Sequence, residues 1–198
     1  MIAEIGRFLV ALAFALSILQ LLSGWRAAST GSAPAMRIAA RSAYGALAAA
    51  VIAFGLLIIL FLQSDFSVAY VAGHSHVDKP LFYKIAAAWG GHEGSMLLWC
   101  VMLVGVGAAL ARFALRQDEQ LKNRAVSIQG GLQILFLGFL AFASNPFDRL
   151  LDVPVQGADL NPILQDPALA IHPPTLYIGY VGLSAAFSLA VAGLIEGH

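Results

Sequence analysis

Apolar positions in this chain gather into long uninterrupted runs, and polar positions are confined to the stretches between them. Five runs stand out: Ile5 to Leu22, Ala43 to Leu62, Ser95 to Leu115, Val126 to Ala143 and Thr175 to Ile195. Each is close to the ~20 residues that cross a hydrocarbon core as a helix, and none carries a charge at its middle. Backbone groups in lipid must satisfy one another, so helices are predicted; the runs are too long and too uniformly apolar for barrel strands. The expected fold class is therefore all-α, a polytopic integral membrane helix bundle of about five transmembrane helices with two longer connections, 63–94 and 144–174. Within the first connection, Gln63 to Ala72 alternates in a way that predicts a short extended piece.

Composition agrees with this pattern. Of the 198 residues 60% are hydrophobic and 11% charged, and the mean hydropathy is +0.81, values that argue against a soluble globular domain. Charge adds an orientation. Ser23 to Ser42 holds Arg26, Arg37 and Arg41, and Arg112 to Arg124 holds Arg112, Arg116, Lys122 and Arg124, whereas the longer connections hold only Lys79, Lys84 and Arg149, with Arg7 near the N-terminus joining that side. The positive-inside rule then puts the basic connections and the C-terminus in the cytoplasm and the two longer connections and the N-terminus outside. Glu4 offsets Arg7 ahead of the first run and the stronger basic cluster follows it, which favours a retained helix over a cleaved signal peptide. Cys100 is alone and reads as a small buried hydrophobe. No repeat or phosphate loop occurs, and a formal net charge of +0 fits no nucleic-acid partner.

Candidate chemistry collects in the outer connections. In Asn161-Pro162-Ile163-Leu164-Gln165-Asp166-Pro167-Ala168-Leu169-Ala170-Ile171-His172-Pro173-Pro174, each proline disfavours the α region for the residue before it. His172 is therefore expected in extended backbone just outside the fifth helix, with Pro174 in that helix's first turn and the positive end of its dipole near the imidazole. Such a field favours the neutral ring, the form that binds a metal. At the mouth of the third helix, Trp89-Gly90-Gly91-His92-Glu93-Gly94-Ser95 brings aromatic, small and ionisable residues to one interface. Ser95 or Glu93 could serve the helix N-terminus, and Trp89 and Trp99 also read as interfacial anchors. His92 with Glu93 is open to an acid–base pair, a ligand contact, or a hydrogen-bonded pin for the loop. His74 and His76 would share a side of an extended chain, but two ligands are too few for a structural zinc, and a solvated loop is the simpler reading. Gln129 and Gln133, one turn apart in the fourth run, are explained by helix association. His198 is the last residue and carries no argument.

Three segments together carry a resemblance: Trp89 to Trp99, Ser144-Asn145-Pro146-Phe147, and Gly157 to Tyr180. In order and spacing they resemble the CcmF/NrfE/CycK family, the large heme-lyase subunits of cytochrome c maturation. The resemblance implies a protein of the bacterial inner membrane that receives heme from the chaperone CcmE. Together with CcmH and sometimes CcmI, it would join the heme vinyl groups to the Cys-x-x-Cys-His thiols of apocytochrome c on the outer face. It also implies that His172 is one of two external axial ligands of the substrate heme iron. Trp89 and His92 become candidate heme contacts, with no catalytic residue named.

The resemblance covers only the N-terminal third of the family's length. The tryptophan-rich segment, the second external histidine and the two membrane histidines that hold a resident heme b do not occur here, so lyase activity of these residues alone is not expected. Heme propionates would need donors, for which Lys79, Lys84, Arg149 and the start of the fifth helix are candidates, although each cation also reads as a headgroup anchor. Asp148, Asp152, Asp159 and Asp166 read as loop and cap residues. Two other functions stay open, a membrane scaffold without chemistry and a transporter or channel subunit; the lack of intramembrane charge weighs against the latter.

Overall fold

The structure, a computed structural model, describes residues 1–113 and 118–197; the expected end of the third span at Leu115, Arg116 and His198 lie outside them. Five helices are long and apolar enough to cross a membrane: α1 (Ile2–Thr30), α2 (Ala33–Gln63), α5 (His92–Phe113), α6 (Glu119–Phe142) and α7 (Pro167–Glu196). The first outer connection adds two short helices, α3 (Ala69–His74) and α4 (Leu81–Ala87), and the second adds a 3-10 turn at Pro162–Gln165. The helices outrun the apolar runs that revealed them because hydropathy marks the part in hydrocarbon, whereas caps set the ends. Ser32 caps α2 with Pro34 in its first turn, Asp118 caps α6 through the Leu121 N–H at 2.8 Å, and Gly31 (φ 66°) closes α1 in the left-handed region. At 29 residues α1 extends about 44 Å, well beyond a hydrocarbon core of about 30 Å.

The expected extended piece forms only in part. Val68 pairs with Arg149 in a single antiparallel bridge, and the chain then turns into α3, where residues without a longer ladder satisfy their own hydrogen bonds.

Helix packing in lipid gains little from the hydrophobic effect, so close approach and internal polar contacts hold the bundle together. α1 packs against both α2 and α6, while α5 bridges α2, α6 and α7. On α2 the buried stripe facing its neighbours is alanine at 39, 43, 46, 50 and 53. Where α1 crosses α6, a Cβ on Gly130 would lie 2.9 Å from the Leu21 backbone nitrogen and 3.1 Å from the Ser17 carbonyl oxygen. Gln129 and Gln133, both fully buried, tie α6 to its neighbours: Gln129 donates to the Leu103 carbonyl on α5 and accepts from Ser188 on α7, and Gln133 accepts from Ser17 on α1. The helix-association reading of these two residues thus has its partners.

One end of the bundle is capped by the two longer connections, which hydrogen-bond to each other. Ala69 donates to Asp148, Leu150 to Ser67, and Ala158 to Ala72. The start of α1 joins this cap. Arg149 grips both Glu4 carboxylate oxygens, at 2.5 and 3.1 Å, and this carboxylate raises the guanidinium pKa; Arg7 meets Asp148 at 3.3 Å. Phe147, buried, fills the space against Gly6, where a Cβ would come within 2.3 Å of its ring. Lys79, its side chain 2% exposed, ion-pairs with Asp159 and holds that carboxyl below its usual range. At the opposite end, Arg124 pairs with Glu196 at 2.5 Å, donates to Ser29 and lies over the Trp25 ring, joining α1, α6 and α7.

Two outcomes follow from this packing. Gly130→Val should cost about 1–3 kcal/mol by forcing α1 from α6. Gly179→Ala, on an open helix face with nothing within 4 Å, should cost nothing; thermal unfolding in detergent reads both. The Lys79–Asp159 clasp involves a carboxyl with a lowered pKa, so its stabilisation is present above the ordinary value of 3.8 and is lost as pH falls below it. Protease cleavage of the second outer connection should accelerate on acidification through that range, and Asp159→Asn should be cut quickly at every pH.

Candidate functional site

The structure revises the setting of His172. Asp166 accepts hydrogen bonds from the Ala168 and Leu169 N–H groups at 2.8 and 3.1 Å, Pro167 occupies the first helical position, and α7 is already under way when it reaches His172. Pro173 and Pro174 lie inside the helix. The restriction that proline places on its predecessor is overridden, and the positive end of the helix dipole lies about a turn and a half before the imidazole. His172 is exposed on the outer surface of α7.

Two prolines in a helix leave the carbonyls four residues back without their N–H partners, here Leu169 and Ala170. The Ala170 oxygen is rescued by the Trp89 indole, whose Nε1–H donates to it at 2.8 Å. The Thr175 hydroxyl, next along, donates to the His172 carbonyl at 2.8 Å. One indole therefore joins the start of α5 to the proline step of α7.

Between these elements lies a cavity of about 390 Å³, within the range of small-molecule sites. Trp89, His92, Trp99, Leu160, Leu169 and Tyr177 line it, together with Pro173, but His172, on another face of the same helix turn, does not. Glycines at 90, 91 and 94 are dictated by contact: a Cβ on Gly90 would meet Leu160 at 2.7 Å, on Gly91 the His74 ring at 2.3 Å, and on Gly94 the Ala88 carbonyl at 1.9 Å. Tyr70 secures the turn from beneath by accepting the Gly91 N–H at 2.9 Å, and burial pushes its phenol pKa up.

His92 opens α5 and sits on the cavity rim. Its Nδ1 is 3.0 Å from the Ser144 hydroxyl and its ring meets Phe139 edge-on at 5.9 Å, while Nε2 has no partner among the described residues. Ser95 does not cap the helix; its hydroxyl contacts the Tyr177 hydroxyl. The Trp99 indole N–H is buried without a partner among the described residues, between Phe136 and Tyr177. Trp89 and Trp99 are thus cavity walls, and the three sequence signatures meet: Trp89 reaches the proline step, and His92 reaches Ser144.

Other expectations fare differently. His74 ends α3 with Nδ1 2.9 Å from the Tyr70 carbonyl, His76 lies beside Asp78, and among the described residues no group of three His, Cys, Asp or Glu could hold a metal. The propionate donors are already engaged: Lys79 with Asp159, Lys84 with the Ser64 hydroxyl, Arg149 with Glu4, and the α7 N-terminus with Asp166. Tyr177 and Leu160 were not singled out in the sequence. Tyr177 stands four residues after Pro173, one helical turn on, a spacing legible only once the prolines are known to be helical.

Comparison with known proteins places these features in a lineage. The family model described as cytochrome C assembly protein matches residues 89–198. Over its whole length the chain is 47% identical to the cytochrome c-type biogenesis protein ccl1 of Rhodobacter capsulatus and 45% identical, over 203 aligned residues, to CcmF of Pseudomonas aeruginosa, covering 30% of each. It is 44% identical over 147 residues to NrfE of Haemophilus influenzae, covering 23% of it. A solved structure of cytochrome c heme lyase CcmF superposes with a TM-score of 0.84 at 29% identity, over all of this chain and 31% of that one. The chain spans about 30% of the length of the curated relatives it matches. A multi-pass membrane protein with this fold, these signatures and these relatives belongs to the CcmF family of cytochrome c assembly proteins.

Proposed function

We propose that the chain is the part of a heme-lyase subunit that presents an external ligand and an aromatic cavity to substrate heme, for thioether attachment to the Cys-x-x-Cys-His thiols of apocytochrome c. The observation that carries this reading is the convergence of the three family signatures on one cavity at the capped end of the bundle, with His172 exposed one residue from its wall. His172 is the axial ligand to the heme iron, its imidazole outside the cavity. Trp89 and His92 contact the macrocycle from within. A single ligand fills one axial position, so the opposite one is supplied from the remainder of a protein the length of its relatives. CcmE delivers the heme, and CcmH, with CcmI in some systems, brings the apocytochrome. The basic connections face the cytoplasm of a bacterial inner membrane; the cap, the cavity and the N-terminus face the periplasm, and the C-terminus lies inside. The charge asymmetry supports that orientation.

Lys79, Arg149 and Arg7 of the cap are paired with internal carboxylates, so what this region contributes to heme is chiefly aromatic surface and a metal ligand. A scaffold without chemistry does not require an open aromatic cavity beside an exposed imidazole, which favours the heme reading.

The test is a heme spectrum of the protein completed to its relatives' length and purified in detergent. The wild type should give a bis-imidazole spectrum that His172→Ala abolishes or shifts; an unchanged spectrum would make His172 structural. Trp89→Phe keeps the aromatic face but strands the Ala170 carbonyl, so it should retain heme while losing about 1–3 kcal/mol of thermal stability.

A further inference from the structure

Two side chains with titratable protons line the cavity, and they are not equivalent. The Tyr177 hydroxyl is engaged by Ser95. His92 has one nitrogen held by Ser144 and its ring plane set by Phe139, which leaves Nε2 as its unpartnered nitrogen, and its walls include Trp89, Leu160, Leu164 and Leu169. An imidazole oriented through one nitrogen and free at the other, on the rim of a largely apolar cavity, has the arrangement of an acid–base group.

Resting on the heme-lyase reading, we propose that His92 is the catalytic acid–base residue of thioether formation. The reaction adds a thiol across a vinyl group and requires a proton to change places. In the tautomer whose Nδ1–H donates to the Ser144 hydroxyl, Nε2 takes the proton from the cysteine sulfur. The imidazolium delivers that proton to the terminal vinyl carbon, the π pair forming the new C–H bond as it becomes a methyl, and the thiolate sulfur bonds to the carbon attached to the ring, where the macrocycle stabilises the positive charge that develops. One S–H and one C=C π bond are exchanged for one C–S and one C–H bond, with no oxidant or reductant consumed. Ser144 is the positioning residue: its hydroxyl holds the ring at Nδ1 and accepts the Nδ1–H in the tautomer that leaves Nε2 basic. The apolar walls accept the vinyl-bearing edge of the macrocycle, while His172, on the outer face of α7, is left to the iron. The titratable groups around His92 are Glu93 on its own helix, Tyr177 on α7 and His74 behind Gly91 on α3. Its contacts at the end of α6, Ser144 and Phe139, are uncharged.

The decisive experiment uses the completed, heme-loaded protein under reducing conditions with a Cys-x-x-Cys-His peptide, following both the heme spectrum and the rate at which heme becomes covalently attached, from pH 6 to 9. His92→Gln, which can still hydrogen-bond Ser144, should keep the bis-imidazole iron ligation, which His92 does not supply, and lose about 100-fold in attachment rate per heme bound. It should also lose the pH inflection of the wild type, and added imidazole should restore part of the rate in His92→Ala. Ser144→Ala should move the inflection with a smaller loss of rate. Attachment at the wild-type rate in His92→Gln overturns the assignment, as does heme lost in parallel with rate, which would make His92 a heme contact only. A wild-type protein that neither holds nor attaches heme sinks the lyase reading, and this assignment with it.

Discussion

The capped end of this protein is organised around a backbone defect. A helix that carries prolines at 173 and 174 cannot bond the carbonyls of Leu169 and Ala170 in the usual way, and an orphaned buried carbonyl costs about 1–3 kcal/mol. The Trp89 indole meets that need at Ala170, and in doing so fixes where the tip of α5 lies relative to α7. The space left between the two elements is the cavity. Trp89 can reach across only because the turn leading into α5 is built from glycines that let Leu160, His74 and Ala88 come within distances no side chain would permit. The ring itself is steadied by Phe54 of α2, stacked at 6.3 Å. A tryptophan that the sequence also allows as an interfacial anchor thus acts as a hydrogen-bonded strut.

The bundle beneath supplies rigidity by different means. Its apolar surface gives no net drive to associate in lipid, and the inner contacts are correspondingly small or polar: the alanine stripe of α2, the Gly130 crossing, and two buried glutamines that spread their amides over α1, α5 and α7. α7 is the exception. Its buried residues are few, and Ile178, Leu183, Phe187 and Leu194 are more than half exposed. The helix that carries His172 is therefore the one whose surface is least committed within this chain, in keeping with relatives more than three times as long.

Much of this was legible beforehand, and the failures have a common cause. The five spans follow from hydropathy because lipid allows no other backbone solution, and the interhelical role of Gln129 and Gln133 follows from the cost of an amide there. What could not be read was any feature decided by a partner distant in sequence. His172 was expected in extended backbone by a local rule about proline, and the Asp166 cap together with the Trp89 donor, 81 residues away from Ala170, reverses it. Two of the donors expected for propionates, Lys79 and Arg149, were already neutralised by Asp159 and Glu4, pairings that no spacing reveals. His92 was correctly placed at the mouth of a helix, but that Ser144 would take one nitrogen and leave the other unpartnered depended on the fold.

These long-range pairings also bear on how the labour is divided. His172 and Pro173 are neighbours in the chain, yet successive residues on a helix point about 100° apart, so the imidazole faces outward while the proline ring forms part of the cavity wall. A flat macrocycle ligated by His172 is therefore held from outside the cavity, and only an edge of it can enter. On the proposed reading this separation is useful. Iron ligation needs a ring clear of the cavity wall that can accept heme from one carrier and release it to another protein, whereas proton transfer to a vinyl carbon needs a ring held at one nitrogen beside an apolar wall. A single histidine could not meet both demands, and the two consecutive prolines, by placing ligand and wall side by side on a helix braced by Trp89, allow them to be met by different residues.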